Sequence, residues 1–86
     1  MIQRVLVANR GEIACRILRA CREAGLSSVA IYAQNDQESM FRELADLSVL
    51  LEGDTIAETY LNGAAIIKAA KETGADAIHP GFGFLS

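Results

Sequence analysis

The apolar positions of this chain follow two periods in alternation, and each change of period marks a new element. Val5-Leu6-Val7-Ala8 is an unbroken apolar run that suits a strand covered on both faces. From Gly11 to Ala24 the residues Ile13, Ala14, Ile17, Leu18, Ala20, Cys21 and Ala24 recur at helical spacing, with Arg16, Arg19, Arg22 and Glu23 on the remaining positions. Asn9, followed three residues later by Glu12, predicts a reciprocal cap at the start of this helix, and Gly25 predicts its stop. Ser28 to Ala33 reads as a second strand, and the polar stretch Gln34 to Glu38 follows it. Within that stretch Asp36 is expected to cap a short helix that buries Met40, Phe41, Leu44 and Ala45 and leaves Arg42 and Glu43 in water.

Leu47 to Leu51 is a third strand, broken by Glu52-Gly53-Asp54, and Thr55 with Glu58 forms a second capping pair over at most one turn before Tyr60 and Leu61. Asn62 predicts the cap of a helix running through Thr73, with Ala65, Ile66, Ala69 and Ala70 inward, Lys68, Lys71 and Glu72 outward, and Gly74 at its end. Ala77-Ile78-His79 is the last strand, cut short by Pro80, which has no N–H to give to a ladder. Strands alternating with helices in this way imply parallel pairing through right-handed crossovers. The expected fold is α/β: a Rossmann-like parallel sheet of strand order 3-2-1-4 with helices on both faces, one domain over residues 1–86.

A chain of 86 residues buries only about 60% of its unfolded surface, so stability is expected to be marginal. Composition adds that 51% hydrophobic and 22% charged residues belong to a globular chain, not a disordered one. No apolar run approaches the roughly 20 residues that cross a bilayer, and the start Met1-Ile2-Gln3-Arg4 carries no small-residue cleavage site, so a soluble, cytoplasmic protein is expected; a mitochondrial home stays open if a transit peptide has been removed. A net charge of −3, with the eight Lys and Arg mostly balanced by nearby acids, argues against nucleic acid as a partner. Cys15 and Cys21 lie on one helix, pointing to different sides; they cannot bridge and lack the paired spacing of a zinc site.

In an open parallel sheet, ligands bind beyond the carboxyl ends of the strands, above all where the strand order reverses. Three loops are expected there: Asn9-Arg10-Gly11-Glu12, Asn35-Asp36 and Pro80-Gly81-Phe82-Gly83. The first has one glycine where a dinucleotide fingerprint needs three, which argues against NAD, and Asp36 reads as a helix cap before it reads as a ribose-binding acid. Gly11 lets the helix start close to whatever lies over it, and Arg10 either reinforces an anion site there or is a solvated first-turn residue. His79 either fixes its loop by donating to a backbone carbonyl or acts as a base. Gly81 and Gly83 permit positive φ on both sides of Phe82, whose ring is a binding platform if exposed and core if buried. Arg16, Arg19 and Glu23 share one helix face, with Glu12 a turn before Arg16; that face is either solvated or part of a subunit contact.

These residues together resemble biotin carboxylases. Val7-Ala8-Asn9-Arg10-Gly11-Glu12-Ile13-Ala14, Arg16 and Ala20-Cys21-Arg22-Glu23 are similar to the family's start, and Ala75-Asp76-Ala77-Ile78-His79-Pro80-Gly81-Phe82-Gly83-Phe84-Leu85-Ser86 to a signature that normally carries on into Glu-Asn. Leu44-Ala45-Asp46 and Tyr60-Leu61-Asn62 fall in register between them, so the resemblance covers essentially the whole chain. Phe82 stands where the family commonly has tyrosine, Phe41 where it usually has histidine, and Ile56 where many members have a small or turn-forming residue. Asp54 to Thr59 is similar to the acyl-CoA carboxylases of the propionyl type.

The resemblance implies a pre-ATP-grasp domain, the amino-terminal piece of a ligase that uses ATP and Mg²⁺ to activate bicarbonate and places the carboxyl group on biotin held by a carrier protein. It implies that His79, Gly81, Phe82, Gly83 and Phe84 border biotin and bicarbonate, that Asn9, Arg10, Gly11 and Glu12 form the adjoining loop, and that Arg16, Arg19 and Glu23 lie in a homodimer interface. Its expected partners are the ATP-grasp domain, the biotin carboxyl carrier protein and a carboxyltransferase, within an acyl-CoA carboxylase of fatty acid metabolism or a related enzyme. The glycine-rich lid, phosphate-binding lysines and Mg²⁺ carboxylates that such chemistry needs are absent from the sequence, as are catalytic and metal-binding residues, so the chain alone is expected to be inactive and to bind no cofactor by itself. Two other readings stand beside this one: a free-standing Rossmann-like binding or dimerisation module without catalysis, and a nucleotide-binding protein that reads adenine at Asn9 to Glu12.

Overall fold

The computed structural model describes residues 1–36 and 40–85. The order of elements is β1 (Arg4–Val7), α1 (Gly11–Glu23), β2 (Ser27–Tyr32), a 3₁₀ turn (Gln34–Asp36), α2 (Met40–Leu44), β3 (Leu47–Leu50), α3 (Gly63–Thr73) and β4 (Ala77–His79). The four strands form one sheet in the order β3-β2-β1-β4, every pair parallel, as the alternation of periods predicts. The order reverses between β1 and β4, so the crevice opens between the loops that follow these two strands.

The continuous apolar runs of β1 and β2 serve two cores, one on each face of the sheet. On one face Val7 and Ala30 meet Ala14, Cys15 and Leu18 of α1 and Phe41 of α2. On the other, Leu6, Val29 and Ile31 meet Ile66, Ala69 and Ala70 of α3, together with Leu51 and Tyr60. Phe41 is fully buried, which accounts for an apolar residue at that position, whereas Met40, expected inside, is exposed. Neighbouring residues on a helix point about 100° apart, so the face that buries Phe41 turns Met40 away.

Local signals set most of the boundaries. Asn62 accepts from Ala65 N–H and caps α3, and Gly74 closes it in the left-handed conformation. The Thr55 and Glu58 pair forms as expected: Glu58 N–H donates to Thr55 Oγ1, and Glu58 Oε1 accepts from Asp54 N–H and the Thr55 hydroxyl. The cap expected at α1 does not form; Arg10 occupies that position and makes no side-chain capping bond, and Asn9 is used elsewhere. Asp36 is likewise engaged in other contacts, and the cap expected of it, with Gln37 and Glu38, lies outside the described residues, as does Ser86. Among the described residues no helix is long and apolar enough to cross a membrane.

Candidate functional site at the carboxyl edge

At the reversal point the first and last loops are joined by one side chain. Asn9 is buried, and its Nδ2 donates to the carbonyls of Pro80 at 2.8 Å and Phe82 at 2.7 Å, while its Oδ1 accepts from Arg10 N–H. Ala8 N–H adds a ladder bond to the His79 carbonyl. Gly81 fits against this anchor only because it lacks a side chain: at φ 68° a Cβ would stand 3.0 Å from Asn9 Nδ2 and from Ile13 Cγ2. Gly11 also has positive φ, and a Cβ there would meet nothing within 4 Å, so within this chain it serves backbone conformation.

The second layer of the site is a closed polar network. Arg10 donates to Asp36 Oδ1 at 2.7 Å, and its side chain stays partly exposed. Asp36 Oδ2 accepts from the Tyr60 hydroxyl at 2.6 Å, and that hydroxyl accepts from Ala33 N–H at 3.0 Å. The Arg10 guanidinium also stands 5.5 Å from the Tyr60 ring centroid. Burial, then the bond to Asp36, pushes the Tyr60 phenol well above its ordinary range, so it stays protonated and donates. The Arg10–Asp36 pair was legible in principle, since the topology puts the ends of the first two strands side by side; nothing in the residue spacing pointed to Tyr60.

The last loop presents its two phenylalanines differently. Phe82 is 79% exposed, so its ring is no part of the core of these elements. Phe84 is half-buried and stacks on Tyr60 with ring centroids 5.5 Å apart at 24°. Phe84 has φ 49°, a left-handed conformation that costs a non-glycine residue roughly 1–2 kcal/mol. An aromatic stack contributes about 0.5–1.5 kcal/mol beyond area burial, so contact and strain are of one size. Gly83 also has positive φ, as the sequence led us to expect. His79 does not donate to a carbonyl; its Nδ1 accepts from Gly81 N–H at 3.0 Å, which places the ring proton on Nε2.

His79, Gly81 and Phe82 form one end of an open, mostly apolar groove of about 820 Å³ along α1, whose wall includes Ile13, Arg16 and Ile17. Cys21 faces this groove and Cys15 the core; both are free, and burial pushes both thiols up, so neither is an activated nucleophile. Arg16, Arg19 and Glu23 are all exposed. Glu12 pairs with Arg19 at 3.7 Å, not with the nearer Arg16.

A family model described as biotin carboxylase, N-terminal domain, matches residues 1–86. The chain belongs to that family. It is 54% identical over 86 residues to the biotin carboxylase of Pseudomonas aeruginosa, covering all of this chain and 19% of that protein. It is 55% identical over 85 residues to the biotin-dependent acyl-coenzyme A carboxylase alpha3 subunit of Mycobacterium leprae, covering 99% of this chain and 14% of that one. Among solved structures, the biotin carboxylase domain of a thermophilic 2-oxoglutarate carboxylase bound to bicarbonate superimposes with a TM-score of 0.93 at 48% identity, covering 99% of this chain and 19% of that one. The chain thus spans about a fifth or less of the length of these relatives.

Proposed function

We propose that this chain is the amino-terminal segment of a biotin carboxylase, a ligase that uses ATP and bicarbonate to carboxylate biotin on a carrier protein, and that it supplies one wall of the cleft. The match of the family model to residues 1–86 carries this reading. The geometry supports it, because the loop most specific to the resemblance lies at the sheet reversal with the Phe82 ring turned out. Phe82 offers an aromatic face to a small ring, and the His79 Nε2 proton and the loop backbone offer donors beside it.

The described residues do not fit ATP or Mg²⁺. Arg10 is taken by Asp36, and no three carboxylate, histidine or cysteine groups among them converge as metal ligands. In this reading nucleotide and metal bind in an ATP-grasp domain elsewhere in the enzyme, and Arg16, Arg19 and Glu23 face a second subunit. The acyl acceptor is chosen in a carboxyltransferase, outside this segment. The test is to incubate the pure 86-residue chain with ATP, Mg²⁺, labelled bicarbonate and free biotin. No fixed label is expected, whereas the enzyme that carries this segment fixes it; turnover by the chain alone would overturn the division of labour.

A further inference from the structure

Phe82 is held by little of the fold, so the direction of its ring is set by the backbone of residues 80–84. That backbone passes through positive φ at Gly81 and Gly83, where it costs nothing, and at Phe84, where a non-glycine residue needs contacts to hold it there. Asn9 anchors its near end through the Pro80 and Phe82 carbonyls. Its far end rests on the Tyr60 ring through Phe84.

We propose that Tyr60 is a positioning residue for the Phe82 loop, acting through Phe84, and that Asp36, Arg10 and the Ala33 amide serve to lock the Tyr60 ring. A phenylalanine at position 60 would fill the core equally well, yet a hydroxyl is buried there with a partner on each side, an acceptor in Asp36 and a donor in Ala33. The two bonds at its tip stop the side chain from swinging, and close burial holds the plane of the ring, so it offers Phe84 a fixed surface. The network also spans the carboxyl edge: Arg10 comes from the loop after β1, Ala33 and Asp36 from the segment after β2, Tyr60 from the turn before α3, and Phe84 from the loop after β4. The orientation of one loop is thereby tied to three others. This inference rests on the reading of Phe82 as a cleft wall, and two separate readouts keep the two apart.

The first readout is the amide order parameters of Phe82 and Gly83 in the full 86-residue chain, with the amides of α1 as reference, for wild type, Tyr60→Phe and Phe84→Leu. Phe84 is half-buried and leucine keeps its apolar character, so this variant tests the stack with little demand on the core. Wild type is expected near the rigid value of about 0.85, and Phe84→Leu below about 0.6 at residues 82 and 83 with α1 unchanged. Tyr60→Phe, which keeps the ring and frees its tip, is expected between them. The second readout is biotin carboxylation by the enzyme carrying this segment, where Phe84→Leu should raise KM for biotin about tenfold and more than it lowers kcat. Order parameters that stay rigid in Phe84→Leu, or a wild-type loop already below about 0.6, would overturn the positioning role. Rigid wild type and loosened variants with no biotin turnover by the wild-type enzyme would overturn the functional reading and leave the positioning role standing.

Discussion

Asn9 spends its amide nitrogen on the Pro80 and Phe82 carbonyls and its oxygen on Arg10 N–H, which leaves nothing for the start of α1. In sequence, Asn9 with Glu12 has the spacing of a capping pair, and the alternative partners lie about seventy positions away, where no local pattern can show them. The Pro80 and Phe82 carbonyls are part-buried, and leaving them without a donor costs up to about 1–3 kcal/mol, so Asn9→Ala should lower the melting temperature by several degrees in a domain of this size. Asn9→Asp should lower it further at neutral pH, since a carboxylate then faces two carbonyl oxygens with no proton to give, and mild acid should recover part of the loss. Thermal unfolding of the two variants at pH 7 and pH 5 checks this; equal stability of Asn9→Asp and wild type would contradict the anchor.

At the scale of elements, what the sequence made legible follows from how far each signal reaches. The caps at Asn62 and Thr55, the stop at Gly74 and the strand runs rest on neighbours within a few residues, and these formed as expected. The polar ties between elements did not show in the pattern, because Arg10 with Asp36, and Tyr60 with both Asp36 and Phe84, meet only once the sheet has assembled. Asp76 is another such tie: its Oδ2 accepts from the backbone N–H of Gln3 and of Arg4 and so fastens the start of β1 beside β4. Those two bonds hold the Asp76 carboxyl below its usual value. Its folded pKa is depressed, so its contribution is present above the unfolded value of about 3.9 and is lost as pH falls through the lower folded one. Asp76→Asn keeps an acceptor but does not titrate, and its unfolding midpoint should depend less steeply on pH below about 4 than that of wild type.

Across the whole molecule, α1 links the carboxyl edge of the sheet to an exposed charged face. The exposed Arg16, Arg19 and Glu23 lie on the helix whose Ile13 and Ile17 line the groove beneath Phe82. If that helix face joins two subunits, Arg19→Ala combined with Glu23→Ala should shift the enzyme that carries this segment toward monomer in sedimentation velocity; an unchanged sedimentation coefficient would remove the interface. Arg19 is also the partner of Glu12, but that ion pair is exposed on both sides and worth about 0.2–1 kcal/mol at most, so loss of dimer would not come from loss of fold. The role of the carboxyl edge as a cleft wall is tested most directly by the KM for free biotin of the same enzyme with Phe82→Ala, measured by label fixed from bicarbonate at saturating ATP. Removing an exposed aromatic face that meets the substrate ring should raise that KM about tenfold while leaving the KM for ATP within about twofold. An unchanged KM for biotin would mean that Phe82 does not face the substrate.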